Sequence, residues 1–289
     1  MFGVGATKAG TTWLYEHLQS HPDCHLRAIK ELHYFDMLES GRFGGQITAT
    51  QRFAEKVAKR AEDRKGPGRQ KSLSRMRDAA DWMAVLERRA EDLDAYRAYL
   101  EHGKGEATLV ADITPAYGLL SEQRLQQMAG LGGDVRFLYL LRDPVARLWS
   151  QIRMMASRAV GKLGDFAEQA YTVLAEVLAG KHPGAVARGD YMGAITRLNA
   201  AVDPRRLMVM FQEELLSVQG LERLSQWLGI RAMPGNFEAR VLAGRELALP
   251  EGAKAELRAL LAPQYDYVAA QFPDRLPASW QFNLGEDGK

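Results

Sequence analysis

The sequence predicts an α/β protein, a parallel β-sheet flanked by helices, with a P-loop-like turn and a helical insertion over about residues 45–105. Three observations predict it. Phe2-Gly3-Val4-Gly5 runs into a small-residue turn and then a helix, Ala107–Ala111 and Val135–Leu141 are apolar runs that stop abruptly at polar residues, and Gln51–Arg77 is rich in Lys and Arg. Near-continuous apolar strands mark a parallel sheet covered on both faces. Such sheets place ligands at the carboxyl ends of their strands.

The first element is the strand, turn and helix of Phe2 to Leu18. Gly5 and Gly10 enclose Ala6-Thr7-Lys8-Ala9, the spacing of a phosphate-cradling loop, and Thr11-Thr12 open a helix whose free amides and dipole favour an anion. Nucleotide-hydrolysing loops carry lysine directly after the second glycine. Here Thr11 holds that place, and the loop's lysine is Lys8, two residues before Gly10. From there an ammonium reaches the terminal group of a nucleotide whose 5′-phosphate the same wall holds, which suits a leaving group. Taken alone, the stretch also reads as an ordinary glycine turn.

Lys8-Ala9-Gly10-Thr11-Thr12 resembles the Lys-x-Gly-Thr-Thr loop of sulfotransferases that use 3′-phosphoadenosine 5′-phosphosulfate (PAPS). The resemblance implies PAPS as donor, 3′,5′-bisphosphoadenosine (PAP) as product, no metal, and nucleotide contacts from Lys8 through Trp13.

The 289 residues, 46% of them hydrophobic, suffice for a sizeable core in one domain over 1–289. A net charge of +2 is too small for a general polyanion binder, so nucleic acid is not an expected partner and acidic ligands must be drawn by local clusters. Cys24 is the only cysteine, which excludes an intrachain disulfide and a cysteine-based zinc site and fits a reducing compartment. No apolar run of about eighteen residues and no charged leader ahead of an apolar stretch is present. The chain therefore reads as cytoplasmic, without a membrane span.

Past the break at His21-Pro22-Asp23, Cys24 to Ile29 reads as a short extended stretch leading to Lys30-Glu31-Leu32-His33-Tyr34-Phe35. Partial burial among aromatics raises a carboxylate's pKa and makes Glu31 a candidate general base, while His33, nearer neutrality without help, is the alternative base. Both also read as surface or turn residues. The hexapeptide resembles the Glu-x-His-Phe-Phe stretch of the heparan sulfate type of sulfotransferase, with Tyr34 for the first phenylalanine. That resemblance implies that the glutamate is the base and that a carbohydrate is among the acceptors.

Gln51–Arg77, interrupted by Gly66-Pro67-Gly68, reads as two helical pieces and a turn. Its cations are either a solvated face or a platform for an anionic acceptor. Apolar spacing from Trp82 to Leu100 predicts one helix packed on the core. Ala107–Ala111 then predicts a strand delivering Asp112-Ile113-Thr114-Pro115-Ala116-Tyr117 at its carboxyl end. This segment resembles the family's Glu-Lys-Thr-Pro-Ala-Tyr, with Asp112 in the acid's place as a further catalytic candidate and Ile113 where the family has lysine.

Val135–Leu141 is the clearest strand, and Asp143 and Pro144 supply the N-cap and first residue of the helix after it. Arg142 and Ser150 converge there as a guanidinium fork and a hydroxyl suited to a phosphate. Taken alone, an Arg pairing with Asp143 and a plain helix serine is the alternative. The Arg-Asp-Pro-x-x-Arg-x-x-Ser pattern resembles the family's 3′-phosphate motif, which implies that Arg142 and Ser150 hold that phosphate. Arg188-Gly189-Asp190-Tyr191 precedes another helix, with Tyr191 either near the nucleotide or in a structural hydrogen bond. Arg206–Phe211 reads as a strand entering Gln212–Leu215. Ala243-Gly244-Arg245 matches part of the family's Lys-Gly-Arg loop over the 3′-phosphate, so Gly244 and Arg245 carry over to the donor site by resemblance. Glu251–Phe272 predicts a helix interrupted at Pro263.

Together with these residues, the resemblance implies in-line sulfuryl transfer from PAPS to a hydroxyl or amine of a small-molecule or carbohydrate acceptor, with Glu31 taking the proton and Lys8 neutralising the departing oxygen. As in phosphoryl transfer, catalysis rests on positioning and charge stabilisation. A nucleotide kinase or NTPase would need a lysine after Gly10 and an acidic magnesium ligand, for which Asp112 or Asp143 stands ready. A non-enzymatic anion-binding module built on the basic insertion is the third reading.

Overall fold

The computed structural model describes residues 1–161, 164–238 and 244–281. At its centre, strand β1 (Phe2–Gly5), buried throughout, leads through the loop into helix α1 (Thr11–Ser20). Two glycines permit that passage. A Cβ on Gly5 would lie 2.2 Å from the Tyr139 ring, and Gly10 caps α1 at φ +96°, a left-handed conformation that glycine enters freely.

A short strand β2 (Cys24–His25) and helix α2 (Tyr34–Ser40) precede the insertion, in which α3 (Phe43–Glu62) and α4 (Gly66–Leu86) pack along each other. Gly66-Pro67-Gly68 opens α4, with Pro67 in the first turn, where its missing N–H costs nothing. The single helix expected from Trp82 to Leu100 is two. Helix α4 stops at Leu86, Arg89 adopts φ +49°, and Asp92 caps α5 (Leu93–Glu101), its carboxylate accepting from the Ala95 amide. The apolar spacing survives the break because Trp82 and Tyr99 still meet, at 4.7 Å between ring centroids.

Strand β3 (Leu109–Val110) pairs with β2 in a separate small sheet, and only the following β4 (Asp112–Ile113) joins the main one. The strand expected over Ala107–Ala111 is thus divided, and Asp112 lies within a sheet strand instead of beyond its end. Helix α6 (Glu122–Ala129) leads to β5 (Phe137–Leu141), in which every residue is buried. Each such large side chain contributes roughly 1.5–3 kcal/mol. Helices α7 (Pro144–Val160), α8 (Phe166–Leu178), α9 (Pro183–Ala187) and α10 (Tyr191–Ala201) follow. Strand β6 (Leu207–Phe211), α11 (Gln212–Leu215), α12 (Val218–Leu228), α13 (Glu251–Gln271) and α14 (Ala278–Gln281) complete the order.

The main sheet runs β4-β1-β5-β6 with every pair parallel. It is the helix-flanked parallel sheet that the apolar runs predict. Because the strands are parallel, the loop after β1, Arg142 after β5 and Gln212 after β6 emerge on one edge. Helix α13 continues through Pro263 without the expected interruption. Pro263 and Ala259, whose carbonyl loses its partner to the ring, are both exposed, so that carbonyl is left to solvent.

Candidate active site

A cavity of about 660 Å³ opens on that edge. The loop and the start of α1 line it with Thr7, Lys8, Gly10, Thr11, Thr12 and Trp13. Arg142, Ser150, Arg153 and Arg158 enter from β5 and α7, Arg188 from the turn before α10, and Glu31 with His33 from the segment before α2. Five Lys and Arg side chains face two carboxylates, Glu31 and Glu246, so the cavity favours an anion.

Lys8, Glu31 and His33 are three of the four described non-glycine residues with a left-handed backbone, at φ 72°, 63° and 56°. Such conformations cost roughly 1–3 kcal/mol each and persist only where their surroundings over-determine them. Their gathering around one cavity singles it out independently of any motif.

The Arg142 guanidinium donates from Nη1 to the Lys8 carbonyl oxygen at 2.9 Å, and that of Arg188 donates to Thr7 Oγ1 at 3.3 Å. Burial, then the charges of Arg142, Arg153 and Arg158, hold the Lys8 ammonium below its ordinary pKa. Beneath Arg142 lies Tyr191, fully buried, whose hydroxyl donates to the Arg142 carbonyl oxygen at 2.5 Å. Of its two readings, the structure shows the hydrogen bond, and Tyr191 does not line the cavity. Ala9 is likewise buried, its amide donating to the Ala6 carbonyl. Arg245 turns aside, its guanidinium 5.3 Å over the Phe166 ring and its carbonyl oxygen accepting from Arg153. Neither it nor Gly244 lines the cavity, while the neighbouring Glu246 does. Ala243 lies outside the described residues.

Trp13 donates its indole N–H to the Asn236 carbonyl at 2.9 Å and stacks on Phe237, with centroids 5.9 Å apart and planes 14° from parallel. Both rings line the cavity. Phe237 carried no sequence signal, since it stands alone in an irregular segment.

Around Glu31, Lys30 pairs with Oε1, His33 Nε2 lies 3.8 Å from Oε2, and His33 Nδ1 lies 2.8 Å from Asp36 Oδ2. Burial does push the Glu31 carboxyl up, as expected from the sequence. The interaction with His33 and the charge and hydrogen bond of Lys30 outweigh it, so its pKa falls from 4.5 to about 2. The expected upward shift is therefore overturned. The expectation left out the two cationic neighbours, Lys30 and His33, whose combined effect exceeds that of burial. Burial acts to lower His33, but Asp36 and Glu31 win and raise it from 6.5 to about 9. Between these limits the Glu31–His33 pair carries one proton, on the imidazole.

Asp112 is 2% exposed and lies outside the cavity lining. The Thr114 hydroxyl donates to its Oδ1 at 2.7 Å, and those of Tyr96 and Tyr117 donate to Oδ2 at 2.7 and 2.8 Å. Burial raises its pKa against these bonds. The Tyr117 hydroxyl also accepts the Tyr34 amide at 3.0 Å, so a tyrosine links Asp112 by hydrogen bonds to the His33 turn. Asp143 caps α7, accepting from the Ala146 amide and the Tyr265 hydroxyl, each at 2.8 Å. Both acids on which magnesium binding would depend are thus engaged inside the fold. Among the described residues no group of three or more His, Cys, Asp or Glu forms a metal site, and no helix is long and apolar enough to cross a membrane.

A parallel sheet whose strand ends converge on a cationic, glycine-turned cavity defines an α/β protein with a site suited to anions. A profile described as the sulfotransferase family matches residues 1–232, and the chain belongs to that family. Among solved structures it is similar to a sulfotransferase from Alicyclobacillus acidocaldarius, at a TM-score of 0.64 and 23% identity over 97% of each chain. It is also similar to the sulfotransferase domain from the curacin biosynthetic pathway, at a TM-score of 0.51 and 16% identity over 96% of this chain and 98% of that one. At these identities the likeness shows the fold. Comparison with curated proteins gives no significant match.

Proposed function

We propose that this protein transfers a sulfuryl group from PAPS to a hydroxyl or amine by in-line displacement. One observation carries the reading: Lys8, Arg142 and Glu31 arrive from three separate segments at one cavity, with Arg142 bonded to the Lys8 carbonyl. The amides opening α1 suit the donor's 5′-phosphate, and Arg142 with Ser150 suits its 3′-phosphate. Phe237, stacked on Trp13 and partly exposed, offers an aromatic face for the base. Lys8 sits where negative charge builds on the departing oxygen.

In the reaction the acceptor oxygen forms a bond to sulfur while the bond from sulfur to the 5′-phosphate oxygen breaks, and PAP leaves with that electron pair. The acceptor's proton passes to Glu31. His33 holds its own proton up to about pH 9, which favours Glu31 of the two candidates. Because Glu31 is a weak base, its proton transfer comes late, once the acceptor oxygen has given up electron density to sulfur. The resemblance of Lys30–Phe35 to the heparan sulfate type brings in carbohydrates as one acceptor class. The same reading takes the chain as one cytoplasmic domain with residues 45–105 as its insertion.

A kinase or NTPase has less support, since Thr11 follows Gly10 and Asp112 and Asp143 are engaged elsewhere. Incubation with radiolabelled PAPS tests the proposal. Label should pass to an added alcohol or amine with release of PAP; PAPS left intact by a protein that also fails to bind PAP rejects it.

A further inference from the structure

Three cavities lie end to end between α1 and the insertion. Thr12, Glu31 and His33 line both the donor cavity and a second one of about 470 Å³, and Glu16, Ala28 and Arg75 line both that one and a third of about 810 Å³. Shared walls make them one trough running from Lys8 to α4.

The middle of the trough is largely carbon, from Ala28, Ile29, Ala49 and Phe53. The Tyr15 ring adds to it, since its hydroxyl is spent on the Arg27 carbonyl oxygen at 2.6 Å. The far end is cationic. Lys71, Arg75 and Arg77 line it from one stretch of α4, and among the described residues none of them forms an ion pair. Arg27 is there too, but it is neutralised by Asp78 and, at 2.7 Å, by Asp81. With Glu16, those two carboxylates set three negative charges against the four positive charges of Arg27, Lys71, Arg75 and Arg77, so the far end keeps a net positive charge. Arg64, Lys65 and Arg69 sit exposed at the corner between α3 and α4 and line none of the three cavities. Only part of the basic segment therefore faces a cavity.

We infer that the trough holds the acceptor, and that the acceptor is an elongated amphiphile with a hydroxyl beside Glu31, an apolar body across Ile29 and Phe53, and an anionic far end held by Arg75 with Lys71 and Arg77. The position of the hydroxyl rests on the sulfuryl-transfer reading; the apolar middle and cationic end do not. The middle cavity falls in the size range of small-ligand sites, and a guanidinium fork donates in bidentate fashion to either a carboxylate or a phosphate. Sulfation adds an anion at the Glu31 end, so the product is charged at both ends.

The test measures kcat/KM at saturating PAPS for ω-hydroxydodecanoate, its methyl ester and ω-hydroxydodecyl phosphate, with PAP titration of each protein alongside. The wild type should prefer the two anions over the ester by about 10-fold or more, the scale of one charge-assisted contact. Arg75→Met should bring that ratio toward one, and Phe53→Ala should slow anion and ester alike. The better of the two anions identifies the far group as carboxylate or phosphate. An ester used as fast as the acid, a ratio unchanged in Arg75→Met, or preference for a uronic-acid disaccharide by a protein that binds PAP would overturn the inference. A wild type that neither binds PAP nor transfers label defeats the sulfuryl-transfer reading itself, and the PAP titration separates the two failures.

Discussion

Arg142 donates from Nη1 to the carbonyl oxygen of Lys8 at 2.9 Å and so ties the end of β5 to the loop that follows β1. The side chain proposed to hold the donor's 3′-phosphate thereby also fixes the residue proposed to meet its leaving oxygen. Changes at the two positions should not add independently, because they share this contact.

Lys8→Ala should lower turnover by about 10² to 10³, the loss typical of one preorganised electrostatic stabiliser, with a smaller effect on PAP affinity. Single-turnover rates with PAPS check this. Turnover at the wild-type level would remove Lys8 from the leaving-group role.

Arg142→Ala should weaken PAP by roughly 2–5 kcal/mol, as loss of a buried charge-assisted contact does, while adenosine 5′-phosphosulfate changes less. Calorimetry with both nucleotides reads the difference. Equal weakening would show that Arg142 acts only through the Lys8 loop.

Phe237→Ala, by contrast, should weaken PAP and adenosine 5′-phosphosulfate alike, since each presents the same base to the Phe237 ring. The loss should be about 0.5–1.5 kcal/mol beyond the buried area. An effect confined to PAP would place Phe237 at the phosphate instead.

The two strand-to-helix junctions were legible because their chemistry is local. Gly5 is required by the Tyr139 ring, Gly10 by its positive φ, and Asp143 by the cap it makes. The break between α4 and α5 was hidden because the apolar spacing of Trp82, Tyr96 and Tyr99 persists across it, although Asp92 followed by Leu93 was a readable cap. Asp112 was placed at a strand's end because its neighbours look like one long strand, whereas two sheets divide them. The pKa of Glu31 was misjudged for a different reason: burial is suggested by aromatic neighbours, but the opposing contacts of Lys30 and His33 depend on two left-handed turns that no spacing encodes. The trough past Phe53 to Arg75 joins residues from α1, α3 and α4 and has no linear motif at all.

The titration of Glu31 and His33 separates the two candidate bases. Glu31 is in its basic form above about pH 2, so acceptor kcat/KM should be flat through neutral pH. A rate that instead climbs toward about pH 9, as His33 loses its proton, would make His33 the base. The same shifts bear on stability. His33 has a raised pKa in the folded protein, so its contribution is full below 6.5 and is lost as pH rises through about 9. Glu31 has a depressed one, so its contribution is full above 4.5 and is lost as pH falls through about 2. Thermal unfolding of His33→Ala against wild type should differ most between pH 4.5 and 6.5 and converge above 9. Solvent screening at the exposed Glu31 keeps the difference modest.

Asp112→Ala should cost about 1–3 kcal/mol for each buried hydroxyl left unpaired, seen as a lowered Tm. The kcat/KM pH profile of the protein that remains folded should keep its shape, because Asp112 acts through Tyr117 on the His33 turn. Full stability with altered pH dependence would return Asp112 to the reaction.

The most direct measurement is a calorimetric titration of PAP beside AMP and MgATP, which needs no knowledge of the acceptor. A donor site built from the Lys8 loop with Arg142 and Ser150 predicts saturable PAP binding at least about 10-fold tighter than AMP, one charge-assisted contact's worth, and a difference that Arg142→Ala erases. MgATP binding more tightly than PAP, or PAP and AMP binding equally, would contradict PAPS as the donor.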